Sequence, residues 1–493
     1  MNSTLFSSSF CDRQSLARWF FTAVMSVLMA TAQTASAQAP TLTPYAPATN
    51  GIVSQKFDHT LLYTGTVTRF SATGLPSGLT LNATTGRLSG QLNVAGSYHI
   101  VIYAFNGTAK STPLTIDWTV NPLPEGTVGT YYALIDRHDW YNGGYGGSLR
   151  ITVTKTGTYS GTITRGIHRN PVVGRLETWP GAIDPQGIFT VARRSPYTPL
   201  TIDFGLPLGG NSIYGTLREP NGDVIDLDGL KTYTSAGGTP TAYVGRWNTA
   251  YELQQEQRGN ATYPQGASWA TQTISKTGVV TWVSRLADGT SNTFSTDLLV
   301  GGGTLAHLML YGYAGSVQGW QYYDVEDGTT VGNLGWVKSA NYTRFYSGGF
   351  PLHYLTGTGA RYTPPPTLND MIFGIAAGVN NVSLTFTEGG LAGPYTQVFS
   401  LGARNTITFP AGAGNPYGIR MTMNLSTGIV SGSGTALDFI ENQPTNSRNG
   451  TFSALLIPGR EQAVGHFLLP ASRASNSQIL SGKLIGQEYF VDN

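Results

Sequence analysis

The sequence Tyr145-Gly146-Gly147-Ser148-Leu149-Arg150-Ile151-Thr152-Val153-Thr154-Lys155-Thr156-Gly157 joins an alternating run to a turn. Its apolar residues Leu149, Ile151 and Val153 alternate with polar ones, which is the period of a strand with one buried face. The Thr156-Gly157 pair then supplies the glycine that a tight hairpin turn favours. This segment predicts an antiparallel β-hairpin.

Similar segments occur at 266–278 and 417–428, and a second glycine-bearing hairpin follows each copy, at 211–217, 315–320 and 478–484. Their irregular spacing is longer than the period of solenoids or propeller blades. Proline-rich joints lie at 121–126 and 362–367, and such runs favour extended connectors between modules. We therefore predict three diverged antiparallel β-rich units of sandwich or partial-barrel type, at 123–237, 238–364 and 365–493.

Composition favours the same all-β fold class. Only 11% of the residues are charged, and glycine accounts for 63 of 493, against roughly 25% charged residues and about 7% glycine in an average domain. Few charges, many turns and abundant aromatic residues are typical of sheet proteins with close hairpins. The net charge of +2 without a basic cluster argues against a nucleic-acid partner.

The first 37 residues have the pattern of a signal peptide. Arg13 and Arg18 give a positive start, an apolar run follows at 19–30, and small residues at 35–37 suit cleavage after Ala37. The apolar run is too short for a comfortable membrane span, so we expect no transmembrane segment. The mature protein is expected outside the cell or at its surface, with the periplasm as the alternative.

Cys11 is the only cysteine, and it lies within the segment that cleavage would remove. A mature chain without cysteine excludes disulfide scaffolds, thiolate zinc sites and cysteine nucleophiles. Its stability must therefore come from burial.

Between about 40 and 122, four segments follow one another in a recognisable order. They are Gly74-Leu75-Pro76-Ser77-Gly78-Leu79-Thr80-Leu81-Asn82, Thr85-Gly86-Arg87-Leu88-Ser89-Gly90, Ala95-Gly96-Ser97-Tyr98, and the alternating Leu114-Thr115-Ile116-Asp117-Trp118. As a set, they resemble the bacterial immunoglobulin-like module that is also described as dystroglycan-type cadherin-like. The resemblance covers residues 38–122 and implies a small β-sandwich.

The same resemblance implies Ca²⁺ at module joints, because relatives often hold the ion there with clusters of acidic residues. Only Asp58 and Asp117 stand at candidate positions, and no acidic run lies near the joint at Pro122. We therefore expect no cofactor, and the acidic pattern disfavours calcium.

Two acidic groups are the densest in the chain. Asp223, Asp226 and Asp228 form the first, and the run from Asp324 to Asp327 forms the second. Oxygen-rich loops can bind Ca²⁺, but neither group has the terminal Glu of the twelve-residue calcium loop. Since Asp-Gly is a common hairpin turn, the structural interpretation is favoured for both groups. The seven histidines are scattered without metal-ligand spacing.

Aromatic residues in a loop-like segment are the more specific signal. Trp140, Tyr141 and Tyr145 lie among Asp, Asn and Gly residues. An aromatic plane can stack on the apolar face of a sugar ring while nearby amides bind its hydroxyls. These three residues are the predicted binding residues, whereas Trp320 and Tyr322, at positions i and i+2 of a strand, are interpreted as core.

The leading hypothesis is an exported, non-catalytic binding or structural protein that engages a polysaccharide or a cell-surface protein. No nucleophile elbow, phosphate loop or dinucleotide fingerprint is found in the sequence. The alternative is an exported carbohydrate-active enzyme whose carboxylate pair is assembled by folding. An outer-membrane barrel is a third reading, which the uneven strands and the C-terminal sequence disfavour.

Overall fold

A computed structural model describes residues 38–44, 50–179, 184–192, 199–207, 209–218, 222–341, 343–437, 447–472, 474 and 476–489. The signal-peptide prediction and its cleavage site lie outside the described residues. The regular secondary structure of the described residues is almost entirely antiparallel β-sheet, which confirms the all-β prediction. No helix within it is long and apolar enough to cross a membrane.

The chain divides into two compact units, and the first holds the described residues of 1–51, 56–92 and 96–120. Its strands are β1 (Thr41–Leu42), β2 (Asn50–Ile52), β3 (Lys56–Thr60), β4 (Tyr63–Thr64), β5 (Arg69–Thr73), β6 (Leu79–Leu81), β7 (Arg87–Gln91), β8 (Gly96–Asn106), β9 (Ala109–Lys110) and β10 (Leu114–Asn121). They form sheets in the order β2-β10-β8-β5, with β9 on β8, and β3-β7-β6, with the pair β1-β4 beside them.

The core of this unit follows the predicted alternation. Ile100 and Ile102 of β8 and Trp118 of β10 are fully or almost fully buried, as are Phe70 and Leu88 on neighbouring strands. Two sheets that share such a core form a β-sandwich, as the resemblance to the immunoglobulin-like module implied.

The second unit holds residues 52–55, 93–95 and 121–493 and contains three eight-stranded sheets. The first sheet has β11 (Gly129–Ile135), β12 (Gly147–Val153), β13 (Thr158–Arg165), β14 (His168–Arg175), β15 (Gln186–Val191), β16 (Leu200–Gly205), β17 (Ser212–Arg218) and β18 (Val224–Lys231). A one-turn helix, α1 (Asp139–Asn142), lies between β11 and β12.

The second sheet has β19 (Gly245–Leu253), β20 (Ser268–Ile274), β21 (Val279–Arg285), β22 (Ser291–Asp297), β23 (Gly303–Leu310), β24 (Gly315–Tyr323), β25 (Thr329–Lys338) and β26 (Phe350–Tyr362). The third sheet has β27 (Val382–Glu388), β28 (Tyr395–Gly402), β29 (Thr406–Thr408), β30 (Arg420–Asn424), β31 (Ile429–Leu437), β32 (Ser447–Ile457), β33 (Gln462–Pro470) and β34 (Ile479–Glu488). Short 3₁₀ helices lie at Pro240–Tyr243, Gln255–Gln257, Ile372–Gly374, Ala403–Asn405, Gly412–Gly414 and Pro458–Arg460.

Each of the three sheets is a meander whose first strand pairs with its last, so each curls into a nearly closed barrel. Of the two architectures predicted, sandwich and partial barrel, the structure has the partial barrel. The seam of the first sheet is bridged between Glu177 and Gln186, and that of the second between Leu299 and Gly303. The third sheet opens between β29 and β30, one strand earlier than the others.

The Thr-Gly turns are the part of the sequence repeat that has the same structure in all three sheets. The carbonyl oxygens of Gly157 and Gly278 accept hydrogen bonds of 2.8 and 2.7 Å from the N–H groups of Leu176 and Leu298. Gly428 accepts the same bond from Leu456 at 2.8 Å. The first two turns join the second and third strands of their sheets, but the third joins the fourth and fifth, so this local motif recurs at a shifted position.

The glycine-bearing hairpins at 211–217, 315–320 and 478–484 are not equivalent to one another. They fall on the seventh strand of the first sheet, the sixth strand of the second and the eighth strand of the third. That part of the sequence comparison was wrong, because glycines in alternating strands recur for local reasons of hairpin and strand packing.

Candidate binding site on the second sheet

The structure separates the three aromatic residues predicted to bind. Trp140 lies on α1 and is 89% exposed, but Tyr141 beside it is buried, and the Arg165 guanidinium lies 5.3 Å from the centre of its ring. Tyr145 is half-buried between the first and second sheets, where its hydroxyl bonds to Ser339 Oγ at 2.6 Å. The three side chains therefore form no common exposed platform, and only Trp140 offers a free face.

The first acidic group lies on the outer face of β18. Asp226 and Asp228 alternate with the buried Ile225 and Leu227, and Asp223 precedes the strand. Asp223 comes within 4.0 Å of His138 Nε2. Asp226 and Asp228 therefore lie in a strand and not in the predicted hairpin turn.

The second acidic group forms a turn, in accordance with the structural interpretation. Asp324 Oδ1 accepts hydrogen bonds from the N–H groups of Glu326, at 2.9 Å, and Asp327, at 3.1 Å. Among the described residues, no group of three or more His, Cys, Asp or Glu residues is arranged to hold a metal ion.

The two acids considered for calcium both pair with cationic or aromatic nitrogen groups. Asp58 forms an exposed ion pair with Arg87, and the Arg87 hydrogen bond holds the pKa of Asp58 below its ordinary value. Asp117 Oδ1 lies 2.7 Å from His99 Nδ1. Neither acid belongs to a candidate metal cluster in the described chain.

A further exposed aromatic surface lies on the outer face of β24. Trp320 and Tyr322 are 47% and 40% exposed, although the sequence interpretation placed both in the core. Val331, opposite Tyr322 on β25, is also exposed. Residues two apart on one strand share a face, so these three side chains form a contiguous apolar surface, which we call the aromatic face.

The aromatic face forms one wall of a cleft of about 470 Å³. Leu230 of the first sheet and the loop from Leu299 to Gly301 also line the cleft, and Leu305 lies beside Trp320. This volume is within the range of small-ligand sites. None of the described lining residues is charged, which favours a neutral ligand with an apolar surface.

Polar groups border the aromatic face on β25 and β26. Asn333 lies directly opposite Trp320, and Thr356 lies opposite Asn333 on the next strand. Their side chains share the outer face with Trp320, because directly paired residues of an antiparallel sheet point to the same side. An amide and a hydroxyl beside an indole can bind hydroxyl groups of a ligand that stacks on the ring.

The orientation of β24 is fixed by polar groups inside the barrel. Gln321 lies between Trp320 and Tyr322 but points inward and is 1% exposed. Its amide bonds to the Tyr251 hydroxyl and to Thr330 Oγ1, and Gln272 Nε2 donates to the same Tyr251 hydroxyl at 3.2 Å. A buried amide must stay hydrogen-bonded, so this network holds the neighbouring aromatic side chains on the outside.

Contacts with the first sheet cover the adjacent part of the outer face. Arg137 donates hydrogen bonds to Ser316 Oγ at 2.7 Å and to the Gly335 carbonyl at 2.8 Å, and Gln318 Nε2 donates to the Ile135 carbonyl at 3.0 Å. Burial lowers the pKa of Arg137 to about 10. This packing leaves the aromatic face uncovered on the same surface.

A family model described as "Putative Ig domain" matches residues 26–121. The immunoglobulin-like module predicted from the sequence at 38–122 is therefore confirmed. The match leaves the three eight-stranded sheets outside the family. Among curated proteins, none matches the chain.

Some solved structures align over most of the chain, but with low similarity. Intact transferrin binding protein B (Ap-TbpB, N and C lobes) is 10% identical, with 92% of this chain and 96% of that chain covered and a TM-score of 0.18. A double mutant of transferrin binding protein B from Haemophilus parasuis Hp5 is 8% identical. The alignment covers 87% of this chain and 96% of that chain, with a TM-score of 0.15. A DUF3598-family protein of unknown function from Nostoc punctiforme covers 50% of this chain, with 97% of its own length aligned, 8% identity and a TM-score of 0.13. Similarities at this level carry no conclusion about fold or function.

Proposed function

We propose that the protein is an exported, non-catalytic binding protein and that its aromatic face binds a neutral polysaccharide. The single observation that supports this most is the pair of exposed rings, Trp320 and Tyr322, in an uncharged cleft of about 470 Å³. Sugar rings have an apolar face that buries well on an aromatic plane, and their hydroxyls need partners such as Asn333 and Thr356.

Export and surface exposure rest on the signal-peptide pattern of residues 1–37. The immunoglobulin-like unit fits a role outside the cytoplasm, because β-sandwich modules of this kind occur in many cell-surface proteins. In this proposal, it contributes no catalytic group. Binding needs no metal ion, since the cleft lining is apolar and uncharged.

The test is retention of the mature chain, 38–493, on insoluble and soluble polysaccharides, with and without Ca²⁺, together with an assay for sugars released into the supernatant. We expect retention without release and without a calcium requirement. Trp320→Ala with Tyr322→Ala should abolish retention, whereas Trp140→Ala, a change at another exposed indole, should preserve it. Equal retention by the double variant would contradict the assignment of the face.

One observation favours the enzymatic alternative. The Asp136 N–H donates to the Asp226 carbonyl at 3.0 Å, which brings the two residues side by side at the end of β11. Partial burial raises the pKa of the Asp136 carboxyl, and the negative charges of Asp226 and Asp228 raise it further. Glycoside hydrolysis uses a pair of carboxyl groups, of which the one that acts as general acid has a raised pKa.

The two proposals are separated by the released-sugar assay. Release by the wild-type chain that is lost in Asp136→Asn and Asp226→Asn would establish the enzyme and overturn the non-catalytic proposal. Retention without release, unchanged in both variants, would support binding alone.

A further inference from the structure

Two apolar pockets of the third sheet are larger than a comparable pocket of the second. In the second sheet, the interior void bordered by Tyr251 and Trp282 is about 20 Å³. The third sheet contains two pockets, of about 50 and 60 Å³, next to its apolar core. Protein interiors rarely leave space of this size unfilled, because each void forfeits contacts among its lining atoms.

The larger void, which we call the end pocket, is lined by aromatic rings and aliphatic side chains. Its rings are those of Phe386, Tyr395, Tyr417, Phe452 and Phe467. The rings of Tyr395 and Tyr417 pack edge to face with their centres 4.2 Å apart, and both residues are half-buried. None of the described lining residues is charged.

Two glycines form part of the wall of the end pocket. Gly434 of β31 and Gly450 of β32 pair directly across the sheet, and both line the pocket. A Cβ on Gly434 would lie 3.1 Å from Ile419 Cγ1, and one on Gly450 would lie 3.3 Å from Leu469 Cδ1. A side chain at either position would therefore crowd Ile419 or Leu469, which line the pocket.

The lining restricts the class of ligand. A polar group would lose its hydrogen bonds to water on entering a site lined by carbon, so the occupant must be apolar. An engineered apolar cavity that takes benzene is about 150 Å³, whereas the end pocket holds about 60 Å³. The available space suits a few aliphatic carbon atoms better than an aromatic ring.

We propose that the end pocket binds the end of an alkyl chain, with the remainder of the ligand extending out past Tyr395 and Tyr417. This site is separate from the aromatic face and does not depend on it. An eight-stranded barrel of this size can enclose one small ligand when its interior side chains leave room.

The test uses the mature chain, 38–493, with methyl-labelled Ile and Leu residues, titrated with 1-octanol and followed by methyl NMR. Saturable shifts are expected at Leu391, Ile419 and Leu469, which line the pocket, but not at Leu286 and Leu334 in the second sheet. Absence of shifts at the three pocket residues up to the solubility limit of 1-octanol would overturn the proposal.

A variant with a larger side chain in the end pocket tests the site further, and a variant at an exposed position is its control. Ala436 lines the pocket and is half-buried, so Ala436→Leu should raise Tm without octanol and abolish the octanol shifts. Ala471→Leu, at an exposed turn, should leave the shifts unchanged. If Ala436→Leu does not fold, Leu469→Phe fills the same space. Full octanol response in a folded, filled variant would contradict the site.

Discussion

Trp320 and Gln321 are neighbours in one strand but face opposite sides of the second sheet. The indole is 47% exposed on the outer surface, while the Gln321 amide is enclosed in the barrel and bonded to the Tyr251 hydroxyl. The buried amide thus determines the side of the sheet on which the indole lies. The position of the aromatic face is a consequence of polar packing inside the barrel.

Replacing Gln321 should destabilise the second sheet. Gln321→Ala removes the acceptor of the Tyr251 hydroxyl and one of the partners of Thr330 Oγ1, which still donates to the Tyr322 carbonyl. A buried polar group that loses its partner costs about 1–3 kcal/mol, so the free energy of unfolding should fall by about that amount. Urea unfolding measures the change. Gln487→Ala, at an exposed position, should change it by less than about 0.5 kcal/mol.

The buried histidines should make the protein less stable in acid. Burial lowers the pKa of His353 and of His466 to about 4 from 6.5. Because the unfolded chain binds these protons at higher pH, the free energy of unfolding should decrease as pH falls from about 6.5 to about 4. Below pH 4 these two residues add no further change.

The variant His466→Gln isolates one of these contributions. His466 is fully buried, and its Nδ1 lies 2.9 Å from the Ala267 carbonyl oxygen, a contact that Gln can replace by donating its own N–H. The variant should lose less stability than wild type between pH 7 and pH 4.5 in urea titrations. His168→Gln, at an exposed position, should follow the wild-type curve. An unchanged slope in His466→Gln would contradict the assignment.

An ion-pair network joins the second and third sheets. Glu252 bonds to Arg460 at 2.8 Å and to Lys483 at 3.0 Å. Burial raises the pKa of Glu252, but these two cations outweigh burial and hold it below its ordinary value. The resulting stabilisation is therefore present above pH 4.5 and is lost as pH falls through the lower pKa of the folded state.

Glu252→Gln should lower the free energy of unfolding at pH 7 by about 1–3 kcal/mol, because hydrogen bonds to charged groups are lost. The difference between variant and wild type should shrink as pH falls below 4.5. Glu256→Gln, at an exposed position in the same chain segment, is the control and should show little change. A pH-independent loss in Glu252→Gln would indicate packing rather than charge as the cause.

The glycine of the third Thr-Gly turn should be irreplaceable for two reasons. Gly428 has φ +77°, and a Cβ there would lie 2.7 Å from Asn248 Nδ2, which bonds to the carbonyl oxygens of Thr427 and Leu456. Gly328→Ala is the control: its φ is also positive, but nothing lies within 4 Å of the added Cβ. It should lower the free energy of unfolding only by the backbone strain, about 1–2 kcal/mol. Gly428→Ala should cost clearly more in urea unfolding. Equal losses would show that the Asn248 contact is unimportant.

The fold could be predicted because it depends on local alternation. Leu149, Ile151 and Val153 were expected to share a buried face, and all three are buried in the first sheet. Turn glycines such as Gly157 and Gly278 were visible for the same local reason. The closure of each meander, with β11 on β18 for example, depends on pairing between strands far apart in sequence, and no local pattern encodes it.

The candidate site could be predicted only in part. The sequence indicated aromatic residues in a loop, but it could not show that Tyr141 turns inward while Trp140 stays exposed. The core interpretation of Trp320 and Tyr322 was wrong, because aromatic residues at i and i+2 are usually a buried face. In this strand either Trp320 and Tyr322 or Gln321 and Tyr323 could face the core, because both sets alternate. Only tertiary packing decides which set is buried.

The most direct test of the central claim is isothermal titration calorimetry with the polysaccharide that the mature chain retains. The affinity is measured for wild type, Trp320→Ala, Trp320→Phe and Trp140→Ala. We predict that Trp320→Ala weakens binding at least about tenfold, or about 1.4 kcal/mol, that Trp320→Phe restores part of the affinity, and that Trp140→Ala binds like wild type. Wild-type affinity in Trp320→Ala together with loss of binding in Trp140→Ala would contradict the claim and move the site to the loop of the first sheet.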